Sequence, residues 1–177
     1  RPVLAAILAE ATRAAGVRVL LGCSYRDLQL ADDSLLVTLT NGEQSHYDLV
    51  VGADGVHSGL RSQFMPKVTP PEYIGQGVWR AVLPRPAHIE RPTIWAGEHI
   101  KIGINPVSTS QMYLFITEDR PTHEYIDPAS WADICAGLIR PFPDPLLQSL
   151  IPYLYEAGAN IDYRPLGNLL VPTPWNR

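Results

Sequence analysis

The sequence predicts a two-part chain, α/β over its first third and a mostly antiparallel, helix-covered sheet of α+β type beyond it. Three observations carry that reading. A helical repeat near the start runs directly into a short apolar segment, an unalternated apolar run ends in Gly-Ala-Asp-Gly at 52–55, and a series of alternating segments follows the proline-rich stretch 66–71.

Leu4, Ile7, Leu8, Ala11 and Ala15 recur at intervals of three and four, one face of an amphipathic helix over residues 3–15 that Gly16 is placed to stop. Val17 to Leu21 reads as a short buried strand. Leu35, Val37 and Leu39 alternate with polar partners up to Asn41-Gly42, a pair that favours a type I′ hairpin turn, so a return strand is expected from Glu43. That strand leads into Asp48-Leu49-Val50-Val51, whose lack of alternation predicts burial on both faces.

Residues 66–71, PKVTPP, form a rigid linker and place a boundary between a first domain, 1–65, and a second, 66–165, with 166–177 as a returning segment. Strands are predicted over 77–83, 93–96, 99–105 and 111–117, an antiparallel meander with one buried face on which Ile100, Ile102 and Ile104 lie. Asp127-Pro128 supplies an N-cap and a first-turn proline for a helix with Trp131, Ile134, Cys135 and Leu138 on its buried face. Asp144-Pro145 repeats the device for a shorter helix ending before Pro152, and 163–172 is expected to be extended.

Composition sets the limits. The 177 residues carry 14 Lys+Arg against 18 Asp+Glu, a net charge of −4, and are 46% hydrophobic and 18% charged. That supplies one sizeable core, or one core and part of a second, and excludes global disorder. No run of Lys or Arg provides a nucleic-acid groove or an anionic-membrane surface, and no apolar stretch reaches the roughly 18 residues that span a bilayer. Cys23 and Cys135 stand far apart, which predicts reduced thiols in a soluble, cytoplasmic protein and neither a disulfide framework nor a zinc knuckle. The five histidines show no metal-ligand spacing, so no metal site is expected. The chain opens at Arg1 already inside a helix, which reads as a piece of a longer protein.

The segment 48–61, DLVVGADGVHSGLR, is the one stretch with motif-grade specificity. Its glycines let a ligand approach the backbone, Ser58 is placed to cap a following helix whose N-terminus attracts phosphate, and Arg61 adds positive charge one turn later. The residues alone leave two readings open: a phosphate or dinucleotide contact, or an ordinary strand-turn-helix with a capped end. His57-Ser58 is no nucleophile elbow, because Gly55 and Gly59 stand at the wrong offsets for Gly-x-Ser-x-Gly. Trp79, Trp95, Tyr113, Phe115 and Trp131 are expected to fill the core, with one or two available to line an aromatic pocket. Arg80, a charge beside Trp79 in an apolar strand, is either a solvated outer-face residue or a pocket charge for an anionic substrate.

In Asp54, Gly55, Ser58 and Arg61 this segment resembles the Asp-Gly motif of the single-component flavoprotein monooxygenases, the para-hydroxybenzoate hydroxylase-like family. Arg1-x-x-Leu4 is similar to that family's opening of the helix before the strand, Tyr73 through Arg80 to its first substrate-domain strand, and Leu166 to Trp175 to the approach to its second flavin motif. No Gly-x-Gly-x-x-Gly occurs, nor the second motif itself. The resemblance therefore implies a central piece of such a protein: part of the FAD-binding domain over 1–65, the substrate-binding sheet over 66–165, and a return toward the FAD domain over 166–177. It implies an FAD-dependent, NAD(P)H-consuming monooxygenase that uses molecular oxygen, through a peroxyflavin, to hydroxylate a small aromatic substrate. Arg1, Tyr25, Asp54, Gly55, Ser58 and Arg61 would contact the cofactor, with Tyr25 standing where the family commonly has Val, and Arg80 would meet the substrate. No catalytic acid or base is implied. A related flavin-dependent reductase or halogenase would share the motif, and the alternative from another class is a non-catalytic module that binds a partner through its sheet. The piece by itself is expected to be inactive and to hold FAD weakly or not at all.

Overall fold

The computed structural model describes residues 2–156 and 160–175. The chain divides into two compact units between Ser58 and Gly59.

The first unit opens with α1 (Pro2–Ala14). Gly16, at φ 81°, ends it: its N–H donates to Arg13 O at 2.9 Å and the Val17 N–H to Thr12 O at 3.3 Å, the paired bonds of a Schellman motif. Three antiparallel strands follow, β1 (Tyr25–Ala31), β2 (Ser34–Leu39) and β3 (Gln44–Tyr47), side by side in chain order. The cross-strand pair Leu28 and Val37 is buried and anchors the sheet.

Three expectations for this unit are corrected. The turn at Asn41-Gly42 is not type I′, which needs positive φ at both central residues. Gly42 alone has it, at 88°, and the Gly42 N–H donates to Leu39 O at 3.0 Å, giving a longer loop with a glycine bulge. Residues 17–20 and 49–53 form no strand, and Leu49 and Val51 are each 74% exposed. A strand buried on both faces needs neighbours at its edges and layers above and below it, and among the described residues neither run has a strand to pair with. In exchange, β1 is a strand that the sequence reading lacked.

The second unit begins with α2 (Gly59–Phe64) and then builds a five-stranded sheet from β4 (Glu72–Pro84), β5 (Thr93–Ala96), β6 (Ile100–Pro106), β7 (Gln111–Asp119) and β8 (Asp162–Asn168). All neighbours are antiparallel, in the order β5-β6-β7-β4-β8. The predicted meander is therefore confined to β5, β6 and β7, and β4 lies against β7 instead of β5. Residues 84–92, with prolines at 84, 86 and 92, cannot make a tight hairpin and carry the chain to the far edge instead. Arg85 pins this crossing, donating from Nε to Ile89 O at 2.6 Å and from Nη1 to Ser108 O at 2.7 Å.

Alternate residues of the sheet, Trp79, Ala81, Leu83, Ile102, Ile104, Met112, Leu114 and Ile116, are buried beneath α3 (Trp131–Ile139) and α4 (Pro145–Leu150). Each large side chain taken fully from water here contributes about 1.5–3 kcal/mol. The two Asp-Pro devices act as expected, with one refinement. Asp127 caps a 3₁₀ turn, Pro128–Ser130, that precedes α3, accepting from the Ala129 N–H at 3.0 Å. Asp144 caps α4 directly, its Oδ1 accepting from the N–H groups of Leu146 (2.9 Å) and Leu147 (3.2 Å) while Oδ2 accepts from the Trp95 indole at 2.9 Å. The Gln148 amide closes the end of α3 by donating to the carbonyls of Ile139, Arg140 and Phe142. Among the described residues no helix is long and apolar enough to cross a membrane.

Candidate functional site

Of the residues singled out by sequence, Asp54, Gly55 and Ser58 lie at the end of the first unit and Arg80 lies in β4. Asp54 and Gly55 are exposed, and Gly55 has φ 83° with open space where a β-carbon would stand, so its backbone is accessible to a ligand. The Ser58 N–H donates to Gly55 O at 3.1 Å and the Ser58 hydroxyl donates to the Asp54 carboxylate. The structure thus brings Asp54, Gly55 and Ser58 together in one turn. Ser58 is buried and orients the carboxylate, a role the sequence did not reveal, because a serine before a helix has the helix N–H groups as competing partners. Arg61 belongs to the second unit, half-buried in α2. α2 is six residues long, and Arg61 is its basic residue.

Tyr25 is the half-buried first residue of β1, opposite Leu39 and beside a register shift at Asp27. Arg1 lies outside the described residues.

Arg80 lies on the sheet face turned away from the helices, because Trp79 and Ala81 on either side face the core. It is half-buried, and its cross-strand neighbours are Phe115 on β7 and Asp162 on β8. The Asp162 carboxylate is engaged by Arg164 Nε at 3.1 Å, and among the described residues no carboxylate pairs with Arg80. Tyr113 and Phe115, both half-buried, share this face, which corrects the expectation that they fill the core: β7 is apolar on both faces, and only its register against β4 decides which set faces the helices.

On the helix side of the same strand lies a polar cluster that sequence reasoning missed. The Trp79 indole donates to Glu118 Oε1 at 2.8 Å, and Arg120 reaches the same oxygen from Nε at 3.1 Å and Nη2 at 3.0 Å. The Arg120 guanidinium sits 5.9 Å from the Trp79 ring centroid and 5.8 Å from that of Tyr163. The cluster locks Trp79 and thereby the register that turns Arg80 outward. The only prior signal was a Glu-x-Arg spacing at the end of an alternating strand. Burial, reinforced by Glu118, pushes the Cys135 thiol up to about 12, so this cysteine is no nucleophile.

No protein-family model matches the chain. Among curated proteins it is 32% identical over 106 residues to the aurachin C monooxygenase/isomerase of Stigmatella aurantiaca, a match over 58% of this chain and 27% of that protein. It is 26% identical over 120 residues to Bacillus subtilis YetM, named as an FAD-dependent monooxygenase, over 67% of this chain and 32% of that protein. The chain thus matches between about a quarter and a third of the length of these relatives. Among solved structures, HpxO of Klebsiella pneumoniae complexed with FAD and uric acid superposes with a TM-score of 0.74 at 22% identity, covering 93% of this chain and 43% of that one. The mixed architecture with antiparallel sheets is therefore shared with that structure, and over its matched residues the chain is similar in sequence to two proteins named as monooxygenases.

Proposed function

We propose that the chain is the central portion of an FAD-dependent, NAD(P)H-consuming monooxygenase that hydroxylates a small aromatic substrate with molecular oxygen. The observation that carries this reading is the Asp54–Ser58 turn. A left-handed glycine with open space above it, next to a carboxylate held by a buried serine, fits the edge of a nucleotide cofactor in a chain similar in sequence to proteins so named.

Bound FAD would supply the redox chemistry, taking electrons from NAD(P)H and delivering them to oxygen. The chain's own residues bind and orient. Gly55 admits the cofactor to the backbone, Ser58 holds the Asp54 carboxylate in place to accept a hydrogen bond, and Arg61 offsets negative phosphate charge, with Arg1 and Tyr25 as further contacts. The sheet of the second unit excludes water from the substrate, and Arg80 meets its anionic group. Uric acid, held by HpxO, is a planar, weakly acidic ring, which supports a substrate of that kind here.

On this reading residues 1–65 are an incomplete FAD-binding domain, 66–165 the substrate domain and 166–177 the return. The exposed apolar positions of α1 and of 49–51 support it. The free cysteines Cys23 and Cys135 suit a cytoplasmic protein.

Asp54→Ala in the complete protein tests the reading. Flavin retention is expected to fall, or reduction by NAD(P)H to slow by about tenfold or more, as for loss of one charge-assisted hydrogen bond, with the circular dichroism spectrum unchanged. Wild-type flavin content together with wild-type reduction kinetics would overturn it.

A further inference from the structure

We propose that the free edge of the five-stranded sheet pairs with the same edge of a second copy of the chain, β5 against β5 across a two-fold axis. The proposal goes beyond the flavin reading and uses none of its residues.

β5 is bonded to β6 alone, so its outer side ends the sheet. Which of its backbone groups face outward follows from the ladder. The Gly97 N–H donates to Ile100 O at 2.8 Å, and the register pairs Trp95 with Ile102 and Thr93 with Ile104. Bonded pairs alternate along an antiparallel ladder, so Thr93, Trp95 and Gly97 direct their N–H and C=O groups at β6 while Ile94 and Ala96 turn theirs outward. Among the described residues nothing takes these outward groups, and both residues are exposed, Ile94 at 62%. The opposite edge of the sheet is blunted, because β8 carries Pro165, which has no N–H, and the charges Asp162 and Arg164. β5, with the sequence Thr-Ile-Trp-Ala, has neither device.

Pairing of β5 with its copy sets outward residues opposite outward residues. Ile94 opposite itself brings Glu90 against Glu98 of the second copy, a pair of like charges. Ala96 opposite itself carries Arg91 past the turn at Glu98-His99. Ile94 opposite Ala96 lets each outward N–H of one strand meet an outward C=O of the other, sets the Trp95 residues opposite each other on the axis, and brings Arg91 opposite His99 of the second copy. That histidine is flanked by carboxylates: Asp119 Oδ2 lies 2.8 Å from its Nδ1, and Glu98 Oε1 lies 3.7 Å from its Nε2. Arg91 is exposed and among the described residues forms no ion pair. Each copy therefore offers an unpaired guanidinium where the other offers the carboxylates of Glu98 and Asp119. Charge selects one register, and in that register the edge is complementary to itself, as a two-fold interface requires.

Sedimentation velocity of the complete protein from about 1 to 200 µM tests this, because a strand of four residues makes a small interface at the weak end of specific association. The mass is expected to rise from monomer to dimer over that range. Ile94→Pro removes an outward N–H and leaves the bonds to β6, a change that an edge strand tolerates. It should raise the dimer dissociation constant at least about tenfold, for the bond lost from each copy. Arg91→Glu and Glu98→Arg should each raise it by about tenfold, and the double variant, with the charges exchanged, should return to within about threefold of the wild type. The far-ultraviolet circular dichroism spectrum should stay that of the wild type throughout; where Ile94→Pro loses it, the charge series decides. A monomer at every concentration, a dimer that Arg91→Glu leaves intact, or a double variant no better than its singles would overturn the proposal.

Discussion

The two units treat apolar residues in opposite ways. In the second, Ile102, Ile104, Met112, Ile116, Ala136, Ile139, Leu147 and Leu150 are 0% exposed; in the first, α1 has no buried residue although its Leu4, Ile7 and Leu8 recur at helical spacing. Periodicity marks a face made for burial and says nothing of what buries it. The second unit contains its own covering layer, α3 and α4 over the sheet. The first has a three-stranded sheet with little else to set against α1, and on the reading proposed above the missing layer is the rest of an FAD-binding domain.

This contrast can be broken most directly by hydrogen exchange. Amides of β7 should exchange at least about a thousandfold more slowly than those of residues 49–53, because a central strand opens only with its unit and an unpaired run is open already. Comparable protection would erase the distinction. Next in size are cavities. Leu147→Ala should destabilise the second unit by about 2–5 kcal/mol, whereas Leu4→Ala in the 177-residue chain should change its unfolding by less than about 0.5 kcal/mol. Tryptophan fluorescence in urea reads the first of these, since Trp79, Trp95, Trp131 and Trp175 all lie in the second unit, and far-ultraviolet circular dichroism at the α1 signal reads the second. The same chain mixed with FAD at micromolar concentration should leave flavin fluorescence unquenched; a yellow stoichiometric complex would show that the first unit is complete enough to hold the cofactor.

A smaller effect involves acid. The Trp95 indole, followed by the Leu147 and Leu146 backbone N–H groups, holds the Asp144 carboxyl below its ordinary value. Its contribution is therefore full above the unfolded aspartate value of about 3.9 and is lost as pH falls through the lower folded value. Asp144→Asn should flatten that part of the second unit's acid unfolding curve; an unchanged acid limb would remove the assignment. The smallest effect is expected at Arg18→Ala. This residue forms an exposed two-point pair with Glu43, at 2.6 and 3.0 Å, and its removal should leave the second unit's unfolding curve unmoved.

What could be read from sequence follows the same divide. The Asp-Pro starts of the helices and the span of β5 were legible because caps and short alternating runs are local. β1 was hidden: Arg26 and Asp27 break its pattern, and Asp32-Asp33 lacks the glycine that usually marks a hairpin. The runs at 17–21 and 49–51 were over-read, since apolar continuity reports burial without supplying a pairing partner. The Asp54-Gly55-x-x-Ser58 motif stood out at once, whereas the Trp79–Glu118 bond depends on a register that no single strand contains.

The order of the sheet has a further consequence. Glu72, the first residue of β4, is paired with Asn168, the last of β8, so the sheet's chain leaves and returns at adjoining points roughly one strand spacing, about 4.8 Å, apart. Everything between, from 73 to 167, is tethered as a long loop would be. Such a segment can be exchanged, lengthened or circularly permuted without asking its host to rearrange, and two adjoining tethers act as one hinge. Joining 72 to 168 through a short turn should leave the remainder of the chain its own geometry, and closing the old ends while opening the chain at the exposed 107–110 turn should leave the sheet intact.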